Sequence, residues 1–155
     1  ASPLDSLGIS RISFIKVDAE GSEAEVLLGG LESIARDLPM IVFESGQASA
    51  DPPRTLRPFT ILRDLGYRFF SVAWVQKAGC QQHFQPKDVS QSPASLNKLV
   101  LVEFPLEERL LLGDSMNVFA CNETRLTELR SRLSLFQRGL DTPVKGSSLQ
   151  VAKDL

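Results

Sequence analysis

The chain has 155 residues, enough for one domain with its own core but short for two. Hydrophobic residues make up 43% and charged residues 23%, an ordinary balance that excludes wholesale disorder, and no apolar run approaches the length of a membrane span. A net charge of -2 without a local basic stripe gives no electrostatic footprint for nucleic acid, so the expected partner is a small molecule.

Residues 2–10 read as a connection punctuated by Pro3 and Gly8, with Leu4 and Leu7 placed for a short helical turn. Residues 11–18 follow as a strand. Ile12, Phe14, Ile15 and Val17 form a near-continuous apolar run broken by Lys16, which suits a central strand covered on both faces. Ser22 and Glu25 have capping-box spacing, and Leu27, Leu31, Ile34 and Leu38 recur at helical intervals, predicting one helix from Glu23 to Arg36. Gly29 and Gly30 inside it each cost on the order of 1 kcal/mol relative to alanine, and close approach of the helix to the sheet is the expected compensation. Pro39 ends the helix and Met40–Glu44 is a second strand, completing a βαβ unit.

Residues 46–58 read as a loop, then Phe59, Leu62 and Leu65 as a short helix stopped at Gly66, then 67–75 as a third strand. Residues 76–97 read as a long polar loop holding His83, the chain's single histidine. Residues 99–104 suit an edge strand closed by Pro105, 106–112 a helical turn, 116–121 a last strand and 123–137 a helix with Leu126, Leu129, Leu133 and Phe136 on one stripe. The domain is expected over 1–138, with a disordered tail over 139–155.

Candidate chemistry gathers where strands end, since ligands of open α/β sheets sit at the carboxyl ends. Asp18 closes the first strand and Glu44 the second, so the two carboxylates share a rim. Such a pair invites a cation or a raised pKa. Lys16 lies on the face of Asp18 by strand alternation and can neutralise either carboxylate. Glu20 precedes Gly21, whose freedom lets the backbone turn away and leave Glu20 facing the crevice, while Glu23 and Glu25 stand where a helix start favours negative charge. Ser45 and Gln47 follow the second strand and line the expected acceptor pocket. Asp18, Glu20 and Glu44, carboxylates with no histidine nearby, would make at most an oxygen-ligand Mg or Ca site, and the expectation is no metal. Cys80 and Cys121 lack metal-ligand spacing and read as reduced thiols of a cytoplasmic protein.

The run from Lys16 to Glu23, Lys-Val-Asp-Ala-Glu-Gly-Ser-Glu, together with the Val-Leu-Leu-Gly-Gly helix and Pro-Met-Ile-Val-Phe-Glu, resembles the FkbM family of S-adenosylmethionine-dependent methyltransferases. Leu-Arg-Asp-Leu-Gly-Tyr-Arg at 62–68 fits the same family pattern. The resemblance implies an O-methyltransferase using S-adenosylmethionine on a hydroxyl of a sugar or small metabolite. It implies an α/β fold: strands 4 to 7 of a Rossmann-like class I methyltransferase sheet, the first two parallel and one of the last pair antiparallel. No glycine-rich turn follows an apolar strand, so the chain is read as the C-terminal half of a catalytic domain, without the cofactor-loop half and inactive alone. Asp18 is then the candidate base and cofactor contact, with Glu20 and Lys16 beside it and Glu44, Ser45, Gln47 and Glu23 on the acceptor.

Two readings from other classes stand against it. A non-catalytic binding or scaffold module would cover its open sheet edge with another chain and oligomerise. A hydrolase would need a nucleophile elbow, Gly-x-Ser-x-Gly, and the sequence has none.

Overall fold

A computed structural model gives the fold, described over residues 2–46, 51–76, 81–83, 96–112, 115–132 and 135–137. The elements in order are a 3-10 turn (Leu4–Leu7), β1 (Phe14–Val17), α1 (Glu23–Leu28), α2 (Leu31–Asp37), β2 (Met40–Gly46), α3 (Pro52–Asp64), β3 (Tyr67–Gln76), β4 (Gln81–His83), β5 (Leu96–Phe104), a 3-10 turn (Leu106–Leu111), β6 (Ser115–Asn122), a further 3-10 turn (Glu123–Arg125), α4 (Leu126–Arg132) and β7 (Leu135–Gln137).

The seven strands form one mixed sheet in the order β1-β2-β6-β3-β5-β7, with β4 paired to β3 off that path. β1 and β2 are parallel around α1 and α2, Phe14 opposite Met40 and Val17 opposite Phe43. Beyond them the sheet is antiparallel through β2/β6, β6/β3, β3/β5 and β3/β4, and returns to parallel at β5/β7.

This architecture corrects the expected Rossmann-like class I half-sheet of strands 4 to 7. Antiparallel ladders dominate, and two strands, β4 and β7, lie where a loop and a helix were expected. β1, expected in the centre, is an edge of the sheet among the described residues, with Phe14 55% exposed. β5, expected at an edge, lies between β3 and β7. Pairing between strands far apart in sequence decides these positions, and a strand's own apolar character does not specify its neighbours.

The long helix expected over 23–36 is two helices that break at Gly29 and Gly30. The compensation for those glycines is contact with the N-terminal turn and not with the sheet: a Cβ on Gly30 would meet Leu4 Cδ2 at 2.9 Å. α3 is the other departure, a 13-residue helix beginning inside the expected loop. Asp51 caps it by accepting the Arg54 N–H at 3.2 Å, and Pro52 and Pro53 fill first-turn positions whose N–H groups need no partner. α4 ends at Arg132, short of the predicted 137. The expected tail and the greater part of the 76–97 loop lie outside the described residues, although His83 itself falls in β4 opposite Ala73.

Strand alternation builds a core on each face. Ile41, Phe43, Phe69, Val118 and Ala120 pack with Leu27, Ile34, Phe59 and Leu62, while Phe70, Cys121 and Leu101 pack with Leu126 and Leu129 of α4. Phe59 seats α3 on the sheet through edge-to-face contacts with Phe69 at 4.9 Å and Phe43 at 5.0 Å between centroids. Each such pair contributes about 0.5–1.5 kcal/mol beyond area burial. The position of α3 sets one wall of the cleft described next.

Candidate functional site

Beyond the last bonded residue of β1 the chain turns sharply. Glu20 has φ 50° and Gly21 φ 93°, two successive left-handed residues, the second of which suits only glycine well. The buried Glu23 carboxylate fastens this turn: its Oε1 accepts the N–H of Ala19 at 3.2 Å and that of Gly21 at 3.0 Å. The expected capping box does not form, because Ser22 makes no side-chain cap hydrogen bond and Glu25 reaches instead to Arg57 of α3 at 2.8 Å.

Continuing the parallel register by one residue sets Asp18 beside Glu44. Lys16 Nζ donates to Asp18 Oδ2 at 2.9 Å, both side chains about half exposed. That hydrogen bond and the ammonium charge hold the Asp18 carboxyl below its ordinary value; desolvation opposes them, and contact with Glu44 adds a smaller lowering. An ion pair this open contributes little to stability. Glu44 Oε1 accepts from the Ser115 hydroxyl of β6 at 2.6 Å.

A cleft of about 290 Å³ opens between the β1–α1 turn, the end of β2 and the first turns of α3. Glu20, Glu23, Glu44, Ser45, Arg54 and Thr55 contribute its polar lining. Of the residues singled out in the sequence, Glu20, Glu23, Glu44 and Ser45 therefore meet around one space. Lys16 and Asp18 sit outside the lining and reach it through Glu44, and Gln47 lies outside the described residues.

Three residues escaped the sequence reading. Arg54 stands on the α3 wall, its Nη2 donating to Gly21 O at 3.3 Å; the start signal Asp51-Pro52-Pro53 was the cue that would have placed it. Ser115 fixes Glu44 from a strand whose pairing is non-local. Arg109, fully buried in the 3-10 turn after β5, donates from Nε to Ser45 Oγ at 2.7 Å and from Nη2 to the Ser45 carbonyl. No local pattern announces Arg109, since its turn reads as a plain amphipathic segment.

Among the described residues no three His, Cys, Asp or Glu side chains converge as metal ligands, and no helix is long and apolar enough to cross a membrane. S-adenosylmethionine does not fit these residues alone. The cleft is at the lower limit of small-molecule pockets, and Asp18, the expected cofactor contact, is committed to Lys16. The geometry offers hydrogen-bond acceptors and one guanidinium to a polar ligand of modest size.

No curated protein and no solved structure matches the chain. Over residues 3–69, which span β1, β2 and every helix that walls the cleft, the chain matches the methyltransferase FkbM domain.

Proposed function

We propose that residues 1–138 form part of an O-methyltransferase domain and that the cleft takes the acceptor, a hydroxyl-bearing small metabolite or sugar. The observation that carries this reading is the meeting of Asp18 and Glu44 at the carboxyl ends of adjacent parallel strands, at the mouth of a polar cleft. The chain's own residues hold the attacking hydroxyl and receive its proton. Asp18, paired with Lys16 and with its carboxyl held below the ordinary value, would accept a hydrogen bond from an acceptor O–H at the mouth of the cleft and receive that proton if the oxygen becomes methylated. Glu44 and Glu20 accept from neighbouring hydroxyls, and Lys16 is the counter-ion of the rim. Glu23 serves the turn. A cytoplasmic location with reduced thiols belongs to the same reading.

The test is transfer of radiolabelled methyl from S-adenosylmethionine to a panel of hydroxylated acceptors, with calorimetric titration of S-adenosylhomocysteine alongside. This chain is expected to bind S-adenosylhomocysteine weakly or not at all. In a form of the protein that transfers methyl, Asp18→Asn is expected to lower turnover about tenfold or more with the fold intact. Unchanged turnover would remove Asp18 from the chemistry.

The position of β1 at the sheet's edge among the described residues supports a second reading, a binding or scaffold module. A concentration-dependent oligomer by sedimentation, with no methyl transfer to any acceptor, would favour it.

A further inference from the structure

Ser45 is 4% exposed and lines the cleft, yet its hydroxyl has one hydrogen-bond partner among the described residues, and that partner is a donor. A serine hydroxyl has one proton and two lone pairs. With Arg109 Nε–H taking a lone pair at 2.7 Å, the proton of Ser45 has no acceptor among the described residues, on a residue nine-tenths buried that lines the cleft. A buried donor left in that state is costly unless something in the cleft accepts from it.

We propose that the floor of the cleft is a site for an acceptor oxygen of the ligand, a carboxylate or carbonyl oxygen, to which Ser45 Oγ–H donates, and that Arg109 is the positioning residue that aims this hydroxyl. Arg109 holds Ser45 at two points, Oγ and the main-chain carbonyl, and its Nη1 reaches Leu112 O at 3.4 Å, so its fork fixes both the rotamer and the end of β2. The guanidinium behind the hydroxyl also polarises it toward donation. The floor is thereby opposite in character to the rim, where Glu20 and Glu44 present acceptors. A ligand matched to both carries hydroxyls outward and a carboxylate or carbonyl oxygen inward.

This inference deepens the acceptor-site reading above, and its test does not depend on methyl transfer, so the two can fail separately. Ser45→Cys puts a thiol in place of the hydroxyl, and alkylation at that position is followed by peptide-resolved mass spectrometry, which separates it from Cys80 and Cys121. The probes are iodoacetamide and iodoacetate, the second a carboxylate. The thiol is expected to react in the native protein with an apparent pKa about one unit or more below the ordinary value near 8.5. Relative to free cysteine, iodoacetate should gain on iodoacetamide by about threefold or more, and adding Arg109→Gln should abolish both effects. Should Arg109→Gln not fold, Arg109→Lys keeps the charge without the fork and should retain part of the rate ratio with a raised pKa. No alkylation in the native state would place the side chain away from the cleft. A rate ratio at or below that of free cysteine would show that the acidic rim governs the floor. Either result overturns the proposal.

Discussion

Asp5 and Ser33 lie 28 positions apart in the chain, and the carboxylate of the first accepts the backbone N–H of the second at 2.8 Å, while its other oxygen accepts from Glu32 at 3.1 Å. Asp5 is thus the N-cap acceptor of α2, delivered by the preceding turn because Gly30, the local cap position, has no side chain to do it. These bonds also hold its carboxyl below the ordinary range, with the hydrogen bond from Ser33 the largest cause. Asp5→Ala is expected to lower the midpoint of urea unfolding without changing the slope, and Asp5→Asn to restore part of it, since an amide oxygen still accepts. An unchanged midpoint in Asp5→Ala would show that α2 does not need the cap.

Acid sensitivity should centre on Asp37. Arg36 donates to both of its oxygens at 2.8 and 2.9 Å, and the Ile12 N–H reaches Oδ2 at 2.9 Å. Arg36 first, and then the Ile12 N–H, pull the carboxyl from 3.8 to about 2. A pKa depressed by folding contributes stability that is complete above the unfolded value near 3.9 and is lost as pH falls toward the folded one. Urea midpoints should therefore drop between pH 4 and about pH 2, and Asp37→Asn should flatten that stretch relative to the parent. A parent profile that is level over this interval would contradict the assignment.

The two glycines between α1 and α2 should behave differently. At Gly29, the residue that follows α1 with αR dihedrals, an added Cβ meets ordinary contacts of 3.5 Å, so Gly29→Ala, which restricts the unfolded chain, should stabilise by up to about 1 kcal/mol. At Gly30 the same atom presses on Leu4 at 2.9 Å, so Gly30→Ala should be the less stable of the pair, and Leu4→Ala should narrow the gap. Equal midpoints for the two alanine variants would show that Leu4 yields freely.

What the sequence made legible follows the range of the forces involved. The β1–helix–β2 unit could be read because an apolar run, helical spacing and Pro39 are all local. α3 was misread because three prolines suggested a loop, although Pro52 and Pro53 sit where a helix start tolerates them. The insertion of β6 between β2 and β3 could not be read, since Ile41 pairs with Ala120 and Phe69 with the same residue from the other side. The site divides in the same way. Glu20, Glu44 and Ser45 stand at strand and turn ends that the local pattern marks, whereas Arg109 arrives by tertiary packing.

Glu20 and Glu23 test whether the turn and the cleft can be separated. Glu20 was a candidate beside the base and Glu23 a candidate for the acceptor, both line the cleft, and they differ in what already holds them. Glu23 is buried and accepts two backbone N–H bonds that would otherwise be left in a tight turn. Glu23→Ala should therefore cost about 1–3 kcal/mol in unfolding free energy, with Glu23→Gln losing less because one amide oxygen can still accept. Glu20 is exposed, takes a left-handed backbone position, φ 50°, and lines the cleft. Glu20→Ala should leave stability within about 0.5 kcal/mol while weakening the binding of a hydroxylated acceptor. Paired urea titrations and acceptor titrations on the two alanine variants read the division directly. A stability loss at Glu20 as large as that at Glu23 would make both carboxylates part of the turn and leave Glu44 and Ser45 as the acceptor's contacts.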